Sequence, residues 1–398
     1  MVITKKYLVF PVSDFVKVRE IDFYNKDKLL DDIYIKLDYI NPKYNIYYPV
    51  EKYKGLNIDV IIHPDIDFRW DQTDEPDYTF VYNCPFRPKL HFTAAFGWLN
   101  DPNGLFEYTS KVTGEKVYNM YFQYNPYGNI WGNIHWGHAV SKDLLHWEQK
   151  SSVLAPDELG MIFSGSAVVD SENRSGLKSE EDVILIYYTA AGGTNKLSEN
   201  KKFTQCIAYS NDCGKTFVKY KENPIIQNVG NDNRDPKVVW CEEMQCYVMA
   251  LYLKEGTSSF GIFTSRDLLH WEFLQEIVID GDAECPDLYP IYVRDGGMER
   301  KWVITAASGK YIICECSENG FQIIQQAMPL NYTLHSYAAQ TFYNVSDDRI
   351  IRMSWNRDVF FPESPFSQQM SIPYDIVLKK KDNLYILCAK PIKELEKL

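Results

Sequence analysis

The chain has 398 residues, enough for one large domain and a smaller companion, and its 54 acidic against 42 basic side chains leave a formal net charge of −12. That balance argues against nucleic acid and against an anionic membrane surface as partners, and no apolar run approaches the roughly 18 residues of a membrane-spanning helix. The 29 tyrosines, 21 phenylalanines and 9 tryptophans suit β-structure and the stacking of sugars equally well.

Residues 1–84 are expected to form a small β-rich, sandwich-like domain. Tyr7-Leu8-Val9-Phe10, the partly alternating Ile33-Tyr34-Ile35-Lys36-Leu37 and Val60-Ile61-Ile62 read as strands, and no catalytic constellation accompanies them. The join to the remainder, residues 85–398, falls at Pro85 to Pro88. Met1 to Val12 is too short and strand-like for a secretory apolar segment. Nine cysteines, an odd number without regular spacing, do not form a disulfide framework, and with seven histidines no zinc set emerges, so no metal is expected. The chain reads as a reducing, cytoplasmic protein, or as a secreted one whose leader has been removed.

The next segment, Trp98-Leu99-Asn100-Asp101-Pro102-Asn103-Gly104, is strong turn chemistry. Pro102 fixes φ and Gly104 supplies any positive φ, which places Asp101 at the end of a strand with its side chain aimed by the backbone.

From there a phrase returns. Ser141-Lys142-Asp143-Leu144-Leu145-His146-Trp147-Glu148 recurs as Ser265-Arg266-Asp267-Leu268-Leu269-His270-Trp271-Glu272, with looser copies at Ser210-Asn211-Asp212 to Phe217 and Ser317-Glu318-Asn319-Gly320-Phe321. Asp143, Asp212, Asp267 and Asn319 are 69, 55 and 52 residues apart, each copy set between β-rich stretches. A hairpin repeated at about 50 residues is the pattern of a propeller blade, and residues 90–390 leave room for five. The Ser-x-Asp turn and its aromatic are read as structural, locking an outer hairpin and filling the gap between blades.

Three acidic motifs fall in three blade-sized segments: Asp101 in the heptad, Asp235 in Arg234-Asp235-Pro236, and Glu284 in Glu284-Cys285-Pro286. Each alone has an ordinary reading as a turn with an ion pair. On a propeller, whose inner strands converge on one pocket, acids far apart in sequence meet. Two carboxylates flanking a bond are what glycoside cleavage needs.

At this level the chain resembles glycoside hydrolase family 32, the invertases, inulinases, levanases and related β-fructofuranosidases. Besides those motifs the likeness runs through Tyr121 to Pro126, Trp131 to His138, Phe163-Ser164-Gly165-Ser166, Tyr337 to Phe342 and Met370 to Pro373. The resemblance implies a five-bladed β-propeller and a retaining double displacement on a neutral fructose-containing carbohydrate, without metal or organic cofactor. Asp101 would be the nucleophile and Glu284 the general acid and then base, the two carboxyls about 5–5.5 Å apart, with Glu284 kept protonated by burial or by the charge of Asp101. Asp235 would hold sugar hydroxyls, and Arg234 would organise the carboxylates. Trp98, Asn100, Gln123, Trp131, Phe163 and Ser164 would line the fructose pocket. His135 and His138 are read as core histidines rather than bases.

Two departures stand out. The family's propeller is usually followed by a β-sandwich, which is either absent here or lies outside this sequence; the extra material is N-terminal. His335, in Asn331-Tyr332-Thr333-Leu334-His335-Ser336, stands where the family often has an acid at the pocket rim, which leaves substrate preference open. A fructosyltransferase using the same residues, a non-catalytic fructan-binding protein and a related propeller enzyme acting on arabinans or xylans are the other readings; oligomeric state is open.

Overall fold

The structure, a computed structural model, describes residues 1–66, 68–79, 81, 84–294, 298–331 and 333–398; Tyr332 of the segment before Tyr337 lies outside them. Strands dominate because buried β-branched and aromatic runs alternate with tight turns throughout.

The N-terminal part is two small antiparallel sheets. Tyr44–Pro49, Tyr7–Val12 and Asp71–Thr73 form one; Lys28–Ile35, Arg19–Asn25 and Asp59–His63 form the other. Tyr7–Val12 alternates strictly, with Leu8, Phe10 and Val12 buried, as a half-covered sheet requires. Those side chains meet Ile21, Phe23, Ile33 and Ile35 of the second sheet in one core, where the Phe23 and Tyr48 rings stack at 4.3 Å. The segment that follows is stapled by Arg87, whose guanidinium donates to the carbonyls of Val81, Ala94 and Ala95 and to Thr93 Oγ1.

Five four-stranded blades follow in chain order, innermost strand first. Blade 1 is Gly97–Thr109, Lys116–Asn125, His135–Ser141 and Trp147–Leu154; blade 2 is Met161–Asp170, Val183–Ala191, Thr204–Ser210 and Val218–Lys219. Blade 3 is Arg234–Cys241, Cys246–Tyr252, Ser259–Ser265 and Glu272–Val278; blade 4 is Asp287–Arg294, Arg300–Thr305, Lys310–Ser317 and Gly320–Pro329. Blade 5 is Ser336–Thr341, Ile350–Asn356, Tyr374–Lys381 and Leu384–Pro391. The five innermost strands contact one another in a closed ring. The seam is closed by Phe366 and Ser367, which pair in parallel with Gly97 and Trp98. Inner strands are covered on both faces by neighbouring blades, so Val183–Ala191 is buried at every position and reads as a continuous apolar run rather than an alternation.

The recurring Ser-x-Asp phrase sits at the same place in four blades, between the third and fourth strands. In blade 1, Asp143 Oδ1 accepts from Ser141 Oγ and from the backbone N–H of Leu145 and His146. Asp267 does the same with Ser265, Leu269 and His270. Leu144 and Leu268 take φ of 66° and 68°, conformations costly for a branched residue and held by those bonds. The turn also ties blades together. Tyr121 of blade 1 donates to Gly214 O in the blade 2 turn, and Tyr187 of blade 2 donates to Leu268 O in the blade 3 turn, both at 2.8 Å.

Asp267→Ala removes the oxygen that accepts three hydrogen bonds of this lock and is expected to cost about 1–3 kcal/mol. Tyr187→Phe, which leaves the buried Leu268 carbonyl only the longer bond from Trp271 Nε1 at 3.3 Å, is expected to cost about 1 kcal/mol. Chemical denaturation of the full chain measures both.

Candidate active site

All three acids lie where innermost strands begin, and not where strands end, as the turn chemistry of the heptad had implied. The cause is a series of β-bulges. Pairing between Gly97–Thr109 and Lys116–Asn125 shifts register between Leu99 and Pro102, and again between Asn103 and Phe106, so the heptad is an interrupted strand rather than a turn. Blade 2 shifts between Phe163 and Gly165, blade 3 between Arg234 and Lys237, and blade 5 between Tyr337 and Gln340. An extra residue in a strand re-aims its side chain and twists the backbone. Four of these bulges each turn one polar side chain into the mouth of the ring: Asp101, Ser164, Asp235 and Tyr337. At Gly165 an added Cβ would lie 1.8 Å from Tyr187 O, so only glycine permits the blade 2 bulge. Blade 4 contributes Glu284 from the residues just before its first strand. Asp235, Glu284 and Cys285 have φ of 66°, 58° and 38°, strained values for residues with side chains.

Asp101 Oδ2 accepts from Ser164 Oγ at 2.6 Å and its Oδ1 from Asn100 Nδ2 at 3.1 Å, while Trp98 Nε1 orients Asn100 by donating to its Oδ1 at 2.9 Å. Asp235, 5% exposed, accepts the Cys285 backbone N–H at 2.9 Å and donates its own N–H to Thr189 Oγ1. Arg234 holds Glu284 Oε1 through Nη2 at 2.7 Å and Nε at 3.2 Å, also pairs with Glu255, and lies 3.9 Å from Asp235 Oδ2. From the other side Tyr337 donates its hydroxyl to Glu284 Oε2 at 2.5 Å. The Cys285 thiol lies 3.5 Å from both Asp101 Oδ2 and Asp235 Oδ2. Burial, reinforced by those two charges, pushes the thiol up, so it stays a neutral donor shared between two carboxylates.

Burial raises Asp101 above the usual carboxylate range, opposed by the hydrogen bonds from Ser164 and Asn100. Burial raises Asp235 to about 7, with Arg234 opposing and Glu284 and Asp101 adding to the rise. Of the two causes expected to act on Glu284, burial or the charge of Asp101, burial acts instead on the aspartates: the Glu284 side chain is 32% exposed against 5% for Asp235.

Asp101, Asp235 and Glu284 share one cavity of about 420 Å³ with Asn100, Gln123, Trp131, Phe163, Ser164 and Arg234. Trp98 is not on its wall; it backs Asn100 and packs against Trp355 at 6.1 Å. The wall also takes Phe203, Asp232, Glu255, Cys285, Tyr337 and Trp355, which sequence reasoning did not single out as site residues. Cys285 and Tyr337 stood inside motifs already noticed; Phe203 and Trp355 carry no local signal. His135 and His138 are buried outside the cavity, and burial lowers both to about 4, so they are neutral. His335 is also off the wall. It is exposed, its Nδ1 bonds Arg357 O at 3.1 Å, and Arg357 in turn covers the Tyr337 ring.

A larger groove of about 1150 Å³ lies between the outer parts of blades 1 and 2, and none of the three acids reaches it. Among the described residues, one group combines three metal-capable side chains at close range, Cys241, Glu243 and Cys316, and none of them lines the active cavity.

Residues 91–391 match the model of the glycosyl hydrolases family 32 N-terminal domain. The chain belongs to glycoside hydrolase family 32. It is 35% identical over 342 residues to a levanase of Bacillus subtilis, covering 79% of this chain and 48% of that protein. It is 36% identical over 322 residues to an invertase of Debaryomyces hansenii, covering 74% and 56%. The chain thus spans about half the length of these relatives. An exo-inulinase structure from Aspergillus awamori superimposes with a TM-score of 0.69 at 31% identity, over 78% of this chain and 68% of that one. A Schwanniomyces occidentalis fructofuranosidase complexed with fructose gives 0.67 at 31%, over 77% and 63%. Residues 1–90 lie outside the family match.

The raised Asp235 makes a signed prediction for stability. A carboxyl at about 7 in the folded chain and about 3.9 when unfolded binds more protons folded than unfolded between those values. Its contribution therefore falls as pH rises from about 4 to 7 and is fully unfavourable above. Asp235→Asn is expected to raise Tm by several degrees at pH 8, with the gain disappearing near pH 4; thermal melts of both proteins across pH check this.

Proposed function

We propose that the chain is a retaining β-fructofuranosidase, releasing fructosyl units from sucrose, fructo-oligosaccharides or fructan. The observation that carries this is the constellation itself: Asp101, Ser164, Asp235, Glu284 and Tyr337, one from each blade, facing one cavity walled by Trp131, Phe163 and Trp355. Indole and phenyl rings cover the C–H surface of a sugar, while amides, hydroxyls and carboxylates take its hydroxyls. The similarity to levanase, invertase and exo-inulinase chains supports the same reading.

In this reading Glu284, more open than Asp235, faces the leaving group and delivers a proton to the glycosidic oxygen. Asp101, steered by Ser164 and Asn100, attacks the anomeric carbon and forms a covalent fructosyl-enzyme. Asp235 takes sugar hydroxyls beside the developing oxocarbenium charge. Glu284 then removes a proton from water, whose oxygen attacks the same carbon, frees fructose and restores Asp101. Arg234 and Tyr337 grip opposite oxygens of Glu284 and aim it through both steps. The substrate is neutral and needs neither nucleic acid nor membrane contact. We also read residues 1–84 and 85–398 as two domains, and a reducing compartment from nine cysteines without regular spacing.

Asp101→Asn and Glu284→Gln are each expected to lower kcat on sucrose by 10³-fold or more, on the scale of losing a nucleophile or acid, with β-fructofuranose as the first anomer seen by NMR for the parent chain. Glucose release without matching free fructose would replace hydrolysis by transfer to a sugar acceptor. No turnover of sucrose, short inulin or levan would overturn the reading. Tyr337→Phe leaves Glu284 its Arg234 contact and is expected to reduce kcat about tenfold, with a shifted pH optimum.

A further inference from the structure

We infer that the N-terminal sandwich, through Tyr34, Asp22 and Asp32, is a positioning device for the substrate mouth, clamping the two propeller loops that carry Trp131 and Phe203. The inference rests on the fructosidase reading for its effect on turnover. Its structural part stands independently.

The first loop joins Lys116–Asn125 to His135–Ser141 and carries Trp131, which is 52% exposed in the cavity wall. Both shoulders of this loop are held by the sandwich. Tyr127 is 5% exposed and belongs to the sandwich core, its ring 5.6 Å from Tyr48. On the other shoulder Asn133, at φ 46°, accepts from Tyr34 N–H at 2.9 Å and donates through Nδ2 to Tyr34 O at 2.8 Å. Lys28–Ile35 is an edge strand of its sheet. Asn133 satisfies the open N–H and C=O of Tyr34 on that edge as a fourth strand would.

The second loop, residues 192–203, ends on Phe203. Its short turn Lys196–Ser198 rests on the same edge strand. Lys196 N–H donates to Asp32 Oδ1 at 3.0 Å, while its ammonium donates to Asp22 Oδ2 at 2.6 Å and pairs with Glu20. The Asp22 side chain is 2% exposed and also bonds His63. Asp22 Oδ1 and Asp32 Oδ2 are buried without a partner among the described residues, so Lys196 is the cation on which this acidic pocket depends.

The two clamped loops meet over the cavity. Trp131 and Phe203 flank Phe163 with ring centroids 6.0 and 5.5 Å away, both edge-on. Only Phe163 of the three stands on a blade strand. The propeller ties the same loops through Asn125 to Ile130, Asn195 to Asp157, Lys201 to Glu158 and Asn228 to the Phe203 carbonyl. The sandwich adds the holds at Tyr127, Asn133 and Lys196, on the stretches that lie away from the blade strands. Because Trp131 and Phe203 touch substrate surface and neither touches a reacting atom, loosening them weakens binding of ground and transition states alike, which raises KM and leaves kcat in place.

The test uses Asn133→Asp, which deletes the donor and sets an anion against Tyr34 O, and Lys196→Met, with Lys196→Arg as the conservative partner, all in the full chain. Asn133→Asp and Lys196→Met are expected to raise KM for sucrose at least fivefold with kcat within twofold of the parent; Lys196→Arg is expected to keep both. Acrylamide quenching assigned to Trp131, as the difference from Trp131→Phe, is expected to rise at least twofold in Asn133→Asp without any substrate. Unchanged KM and quenching, or kcat falling in step with binding, overturns the inference. Should Asn133→Asp not fold, the Lys196 pair decides. A parent chain inactive on every fructoside overturns the fructosidase reading alone, and the quenching experiment still decides the clamp.

Discussion

Beneath the cavity one buried ion pair sets the register of the blades that carry the acids. Lys237 and Asp287 meet at 2.9 Å with side-chain exposures of 3% and 0%. Lys237 lies two residues after Asp235, and Asp287 three after Glu284, so the pair locks the backbones that carry two of the three acids. The same groups recruit blade 5: Lys237 donates to Thr341 O, and Thr341 donates its N–H and hydroxyl to Asp287. With every oxygen and proton so engaged, the desolvation of both charges is offset; removing either partner would leave the other stranded, at about 3–5 kcal/mol. Ser166 to Pro236 and Gly165 to Asn103 carry the stitching on into blades 2 and 1.

On this rigid floor the mouth is irregular. A regular strand presents side chains to alternate faces, and a propeller's inner strands need those faces for packing against two neighbours. In blades 1, 2, 3 and 5 bulges free a residue of the innermost strand from that obligation. The left-handed backbone at Asp235, Glu284 and Cys285 and the raised Asp235 show that stability is given up at the mouth. The ion pair and the turn locks of the outer hairpins supply the rigidity that tolerates it.

How much of this was legible in the sequence follows from the range of each signal. The Ser-x-Asp turns are local chemistry, and their hydrogen bonds stand where the pattern placed them. The three acids were found because each is marked by a nearby proline, and their convergence followed from the repeat. The same prolines misled on geometry: Asn-Asp-Pro-Asn-Gly has the composition of a turn, but pairing with Lys116–Asn125 on one side and Phe366-Ser367 on the other holds it extended, and the excess residues become bulges. Trp98 was assigned to the wall by the family resemblance, yet the bulge turns it behind. Phe203 and Trp355 could not be found, since their places depend on how loops from other blades fall. The clamp between Tyr34 and Asn133 uses backbone groups on one side and spans 99 residues, so no pattern of side chains announces it.

The order of the blades along the chain bears on when the protein becomes competent. Each blade is built from consecutive strands, so its hairpins close over short stretches and can form as they leave the ribosome. The mouth has no such local history. Asp101 emerges early, but the hydroxyl that grips Glu284 belongs to Tyr337, and the pairing that closes the ring against Gly97 and Trp98 waits for Phe366 and Ser367. Four completed blades would be an open arc with a buried lysine and aspartate facing water where Thr341 should be. The mouth therefore assembles in one step, when blade 5 joins the ring, and a chain arrested before that blade carries all three acids without the hydroxyl that holds Glu284 or the pairing that closes the seam.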